Sequence, residues 1–190
     1  MNPQAWWYLA RATGIVAWGL LSASVIWGLL LSTRLVRKRS APKWLLDLHR
    51  FLGGLSVVFL GLHLATIVAD GYVHFGRADI LVPFASHWKP LPVALGVLAF
   101  YCSLAVEATS LLMKRLPRRL WRRVHAASFG GFVLATAHGF TAGADHRNLV
   151  LFGAYATAAA VVAFLTMYRV LMPRTPQTPR ITARTLHEAA

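Results

Sequence analysis

Long apolar runs separated by basic segments constrain this chain more than any other feature. Of its 190 residues 57% are hydrophobic and only 14% are charged, and the apolar residues gather at 6–32, 45–68, 91–113, 124–142 and 149–172. Each run approaches the roughly 20 residues that a helix needs to cross about 30 Å of hydrocarbon. The fourth is the shortest and holds two histidines and several glycines. A soluble fold has no interior large enough for five such runs, so the pattern predicts an all-α integral membrane protein of five transmembrane helices.

The basic residues predict its direction. The chain carries twenty Lys and Arg against six Asp and Glu, a formal charge of +14. Sixteen of the twenty fall on one side: Arg34, Arg37, Lys38, Arg39, Lys43, Arg50, Lys114, Arg115, Arg118, Arg119, Arg122, Arg123, Arg169, Arg174, Arg180 and Arg184. Arg11, Arg77, Lys89 and Arg147 fall on the other, with Asp70, Asp79 and Asp145. Basic residues stay in the cytoplasm, so the amino terminus is expected outside and the carboxyl terminus inside. Topology then accounts for the charge, and nucleic-acid binding is not expected. The first run has no basic stretch before it and its positive cluster lies beyond it, the reverse of a signal peptide, so it reads as a retained span. Trp6, Trp7 and Tyr8 read as an anchor at the outer interface. Residues 1–172 form the membrane domain, and 173–190, rich in proline and basic residues, read as a disordered cytoplasmic tail. The single Cys102 excludes a disulfide framework, a thiolate zinc site and an iron–sulfur cluster.

Four of eight histidines fall within two spans: His49 and His63 in the second, His125 and His138 in the fourth. Ionisable groups inside a membrane mark function by default. The separations, 14 and 13 residues, correspond to about 21 and 19.5 Å of helix. Both helices run outward from the inner boundary, so His49 can face His125 and His63 can face His138. Each pair can clamp a planar ligand between imidazoles, as a haem iron with two axial nitrogens requires. Arg50, Arg123 and Arg11 are the candidate partners for polar haem edges. Gly53, Gly54 and Gly61, and Gly130, Gly131 and Gly139, lie around the ligands and offer either room for a macrocycle or close helix packing. One number resists: 14 residues return to nearly the same helix face, but 13 leave about 140° at 100° per residue. A distorted fourth helix, a His125 ahead of regular helix, or two ligands at different azimuths would each account for it.

The runs LHRFLGGLSVVFLGLHLATIV and RRLWRRVHAASFGGFVLATAHGF resemble the ferric-reductase-like transmembrane domain, shared by ferric reductases, NADPH oxidases and the haem subunit of the periplasmic methionine sulfoxide reductase system. YLARATGIVAW and ADILVPFAS are similar to small bacterial members, which implies a bacterial inner membrane. The resemblance covers most of residues 8–170. It implies two b-type haems stacked across the membrane, the inner held by His49 and His125, the outer by His63 and His138. It further implies an oxidoreductase component that passes electrons from a cytoplasmic-side donor to an extracytoplasmic acceptor. Many relatives have six spans and a cytoplasmic FAD and NADPH domain. This chain has no GxGxxG fingerprint on a strand–helix unit, so no flavin or NADPH site is expected in it. The donor is then a separate flavoprotein, an iron–sulfur protein or membrane quinol; the quinol case makes the chain a subunit feeding a separate periplasmic reductase. A haem-handling or scaffold protein is the reading from another class.

Between the second and third long runs, Ile80–Phe84 is too short to span and reads as an interfacial lid over the outer haem. His74, Asp79 and His87 there are candidates for a transient acceptor site, although wet loop residues is the simpler reading, as it is for His146 and His187. Arg11 either snorkels outward or meets the outer haem. Glu107, shortly before Lys114, reads as a partner for a loop arginine in preference to a proton relay.

Overall fold

The computed structural model describes residues 3–33, 43–71, 75–143 and 148–172, which are helical with no strand among them. The helices are α1 (Pro3–Thr33), α2 (Lys43–Ala69), the single-turn α3 (Arg77–Leu81), α4 (Pro90–Leu111), α5 (Arg118–Ala142) and α6 (Leu149–Leu171). Their ends follow local chemistry. Pro90 occupies the first position of α4, where its missing N–H costs no hydrogen bond. Asn148 caps α6, its Oδ1 accepting from Val150 N at 2.9 Å and Leu151 N at 3.3 Å. Lys89, left-handed at φ 44° just ahead of α4, donates from Nζ to Thr141 O and Ala142 O. That contact places a cation on the last carbonyls of α5 and ties the start of one helix to the end of the next.

Four helices are long and apolar enough to cross a membrane: α1 from Gln4, α2, α4 and α6. Thus the chain has the make-up of a multi-pass membrane protein, and four of the five anticipated spans meet the criterion. Helix α5 has the length, at 25 residues, but its first two turns carry Arg118, Arg119, Arg122 and Arg123, and the remainder holds His125, His138 and three glycines. Functional side chains occupy positions that its neighbours fill with Leu and Val. Exposed apolar residues such as Val58, Val133, Phe164 and Val170 face outward on α2, α5 and α6, as lipid contact requires.

Two packed hairpins, α1 with α2 and α4 with α5, make the body of the bundle, and α6 lies against α1. The core sits where α1, α5 and α6 meet, with Val25, Leu29, Phe132, Ala158, Val162 and Leu165 buried together. Trp18 joins the same three helices: its Nε1 donates to Thr136 Oγ1 at 3.0 Å, and its ring stands edge-on to Tyr155 at 4.3 Å. By contrast α2 and α5, the histidine helices, share no packed seam of their own. They meet through their imidazoles.

Arg34, Arg37, Lys38, Arg39, His74, Asp145, His146, Arg147 and His187, and the tail 173–190, lie outside the described residues.

Candidate functional site

The bundle brings the four histidines together in the two cross-helix pairs that their depth suggests. His49 and His125 have ring centroids 6.0 Å apart and planes at 76°; for His63 and His138 the values are 6.4 Å and 73°. No hydrogen bond joins either pair. Two imidazoles binding one first-row metal ion from opposite sides each hold a nitrogen about 2 Å from it, which sets their centroids roughly 6 Å apart. Among the described residues no three His, Cys, Asp or Glu side chains gather around a bare ion, so each site offers two imidazole donors and no more. That is the protein donor set of a bis-histidine haem.

The backs of the rings decide which nitrogen faces inward. His63 donates from Nδ1 to Ala10 O at 2.8 Å, His138 to Pro92 O at 2.8 Å, and His49 to Ser24 O at 3.1 Å. A carbonyl only accepts, so the proton must lie on Nδ1 and the lone pair on Nε2. This is the outer support that metal-binding imidazoles typically have; it holds the ring and raises its basicity. Each such bond contributes about 1 kcal/mol net. His125 differs: its Nδ1 is buried without a partner, and its ring stacks on Trp121 at 5.0 Å and 25°.

The three carbonyls share a device. Each is followed four residues later by a glycine, as Ala10 by Gly14, Ser24 by Gly28 and Pro92 by Gly96. In a helix the side chain at i+4 covers the carbonyl at i, so a glycine there opens that carbonyl sideways to an imidazole. A Cβ would meet the His63 ring at 2.9 Å from Gly14, the His49 ring at 3.0 Å from Gly28 and the His138 ring at 2.7 Å from Gly96. The α1–α2 hairpin thus seats both of its histidines in sockets on the other helix, and the α4–α5 hairpin does so for His138 alone. The sequence reading missed these glycines, and a signal was there: Gly14 and Gly28 stand 14 residues apart, as His49 and His63 do.

The glycines singled out from sequence have other surroundings. Gly61 and Gly130 face open space, Gly53 and Gly54 lie beside the Glu107 carboxyl, Gly131 beside Cys102, and Gly139 beside the Tyr155 hydroxyl. Gly139 lines the outer cavity together with His63 and His138. Helix α5 is continuous through His125, which removes the explanation that His125 precedes regular helix. His138 is pinned to α4, whereas His125 rests on its own helix.

A cavity of about 350 Å³ holds the outer pair, with Gly14, Gly96, Leu60, Phe100 and Tyr155 among its walls. Its size and largely apolar lining suit a cofactor. Phe75, Asp79, Ile80, Trp88 and Lys89 also line it, so the connection around α3 lies against this cavity, as the lid reading expects. Leu81, Val82 and Phe84 turn outward and are exposed, and Tyr101 donates to Leu81 O at 2.7 Å, tying the segment to α4. Asp79 accepts from Gly76 N at 2.7 Å, a cap to its own turn. His87 is exposed.

The arginines divide. Arg11 lines the cavity with its guanidinium 4.3 Å from the Trp7 ring. Arg50 pairs with Asp47 at 3.5 Å, its side chain 55% exposed, and Arg123 is exposed on the first turns of α5. Among the described residues Glu107 meets no loop arginine; its carboxyl lies across the bundle against Gly53 and Gly54 of α2. Compared with family models, curated proteins and solved structures, the chain matches none.

Proposed function

We propose that this chain is a di-haem, b-type transmembrane electron-transfer subunit, with His49 and His125 as ligands of an inner haem and His63 and His138 as ligands of an outer one. The observation that carries this reading is the double pairing at 6.0 and 6.4 Å, with Nδ1 tied back on three of four rings. When bound, the haems supply one-electron carriers at two depths. His63 and His138 present Nε2 while Ala10 and Pro92 hold the rings from behind, so the imidazoles need little rearrangement as the electron passes. With His49 and His125, and His63 and His138, each pair supplying both imidazole donors, a haem held there would exchange electrons without binding a substrate at its iron. Apolar residues of α1, α2 and α4 keep the outer compartment dry, and the α3 segment covers its outer end. Arg11 and Lys89 supply positive charge beside the outer compartment, suited to a propionate edge.

Five spans belong to this reading, α5 included, with the amino terminus outside. A reporter fused after Ala190 is then cytoplasmic, and one inserted near Asp145 is outside. Both reporters on one side would remove α5 from the membrane and sink the stacked arrangement.

The donor is a flavoprotein, an iron–sulfur protein or quinol at the basic inner face. The test is a purified, haem-loaded chain sealed into vesicles with a reductant inside and a ferric acceptor outside. A low-spin b-type spectrum that is reduced from within and reoxidised from without is expected. Loosely held haem, or haem that does not cycle, favours a haem-handling or scaffold protein instead.

A further inference from the structure

Glu107 is the one acidic residue within the long apolar helices away from their ends, and its surroundings are specific. A Cβ added at Gly53 meets Glu107 Oε2 at 3.5 Å and Ser24 Oγ at 3.6 Å, and one at Gly54 meets Oε1 at 3.6 Å. The carboxyl therefore crosses from α4 to the α1–α2 hairpin. Gly53 is four residues beyond His49, or about 6 Å along the helix, so the carboxyl lies one turn outward of the inner pair. It borders a small cavity of about 40 Å³ shared with Ser56, Ser103 and Ser128, more than the roughly 10–15 Å³ that one water needs.

Two of the three hydroxyls there do not serve an anion. Ser56 donates to Gly53 O at 2.7 Å and Ser103 to Ala99 O at 2.9 Å, so both protons are committed to their own helices and only their oxygen lone pairs face the cavity. No cation reaches Glu107 among the described residues. Helix α1 has no titratable residue between Arg11 and Thr33. On α2 the nearest are His49, bound to Ser24, and Arg50, turned out to Asp47. On α4 there are Cys102, against Gly131, and Tyr101, bound to Leu81 O. On α5 the nearest is His125, with the arginines Arg122 and Arg123 exposed. Among the described residues no cation compensates a carboxylate in this compartment, and a positive centre held by His49 and His125 would do so.

We propose that Glu107 is the proton acceptor coupled to the inner haem: its carboxylate would take one proton from water on the donor side as one electron arrives from the donor, and return that proton to the same side as the electron moves outward. This rests on the haem reading above. An oxidised bis-imidazole iron porphyrin core carries one positive charge and the reduced core none, so the Glu107 anion is balanced only beside the oxidised form. By linkage, whatever charge state favours oxidation is in turn favoured by it. The electron then crosses a compartment whose net charge stays constant, which reduces the cost of moving charge through low dielectric.

The test is an optical redox titration of the full, haem-loaded chain at a series of pH values. In the wild type the midpoint of one haem falls as pH rises, toward one proton per electron, and the other does not follow it. Glu107→Gln removes that dependence and holds the midpoint at the value the wild type reaches in acid, because both are then neutral. Glu107→Asp, which keeps a carboxyl but withdraws it from α2, retains the dependence at reduced amplitude. Two haems in Glu107→Gln with the wild-type dependence intact would overturn the assignment while leaving the haem reading in place. A wild type with no b-type spectrum would overturn the site itself.

Discussion

His63→Leu leaves a protein with one haem instead of two, and His138→Leu loses the same haem. The two rings sit 6.4 Å apart on different hairpins, so neither can hold the ligand without the other. The double variant should then be no worse than either single one, a strong departure from additivity that marks two residues acting as one unit. The remaining haem keeps the spectrum set by His49 and His125, which lie about four turns away along their helices. Haem-to-protein ratio and the reduced-minus-oxidised spectrum check this. A wild-type ratio of one, or single variants that lose different haems, would show that the cross-helix pairing is wrong.

Gly96→Ala is expected to weaken the outer site nearly as much, although it only adds a methyl group. The new Cβ would lie 2.7 Å from His138 Nδ1 and 2.8 Å from Cε1, well inside the 3.5–4.0 Å of ordinary contact. Either the ring swings off Pro92 O or α4 and α5 part. Overpacking of this kind costs about 1–3 kcal/mol, against about 1 kcal/mol that alanine returns in helix propensity. Haem retention should fall by up to roughly 30-fold if the net cost of about 2 kcal/mol is felt at the ligand. Gly61→Ala and Gly130→Ala are the controls, since their added Cβ meets nothing within 4 Å. The readout is the rate at which haem passes to a scavenging apoprotein. Equal rates for Gly96→Ala and Gly61→Ala would show that the socket does not hold the imidazole.

Membrane character, helix boundaries and the histidine pairs were legible from one-dimensional pattern, because length, apolarity and depth are each set by position along the chain. The runs at 45–68 and 149–172 nearly coincide with α2 and α6, and the match of His49 to His125 needed only equal distances from the inner loops. The glycines were not legible in the same way. Proximity in sequence suggested Gly53, Gly54 and Gly61 for the ligands, yet the glycines that touch imidazoles are Gly14, Gly28 and Gly96 on the partner helices. A helix projects its side chains outward, so a buried ring rests on the helix packed beside it. The cover over a buried ring is therefore written elsewhere in the chain.

Glu107 and Arg50 make the same division from the side of charge. Both were assigned partners by closeness to the inner boundary. Arg50 turned to Asp47, three residues away on its own helix, whereas Glu107 turned inward to α2. Rotation about the helix axis separates these outcomes, and a residue's azimuth acquires meaning only once α1 with α2, and α4 with α5, have packed as hairpins. The sequence by itself determined where the apolar runs lie and how far along its helix each histidine sits, since these depend on counting along one axis; it counted five spans where four of the described helices are apolar enough to cross. Only the tertiary structure decided which face of each helix meets another. From that came the orientation of Nε2 on three rings, the unsupported His125 and the carboxyl beside the inner pair, because they depend on contacts between helices far apart in the chain.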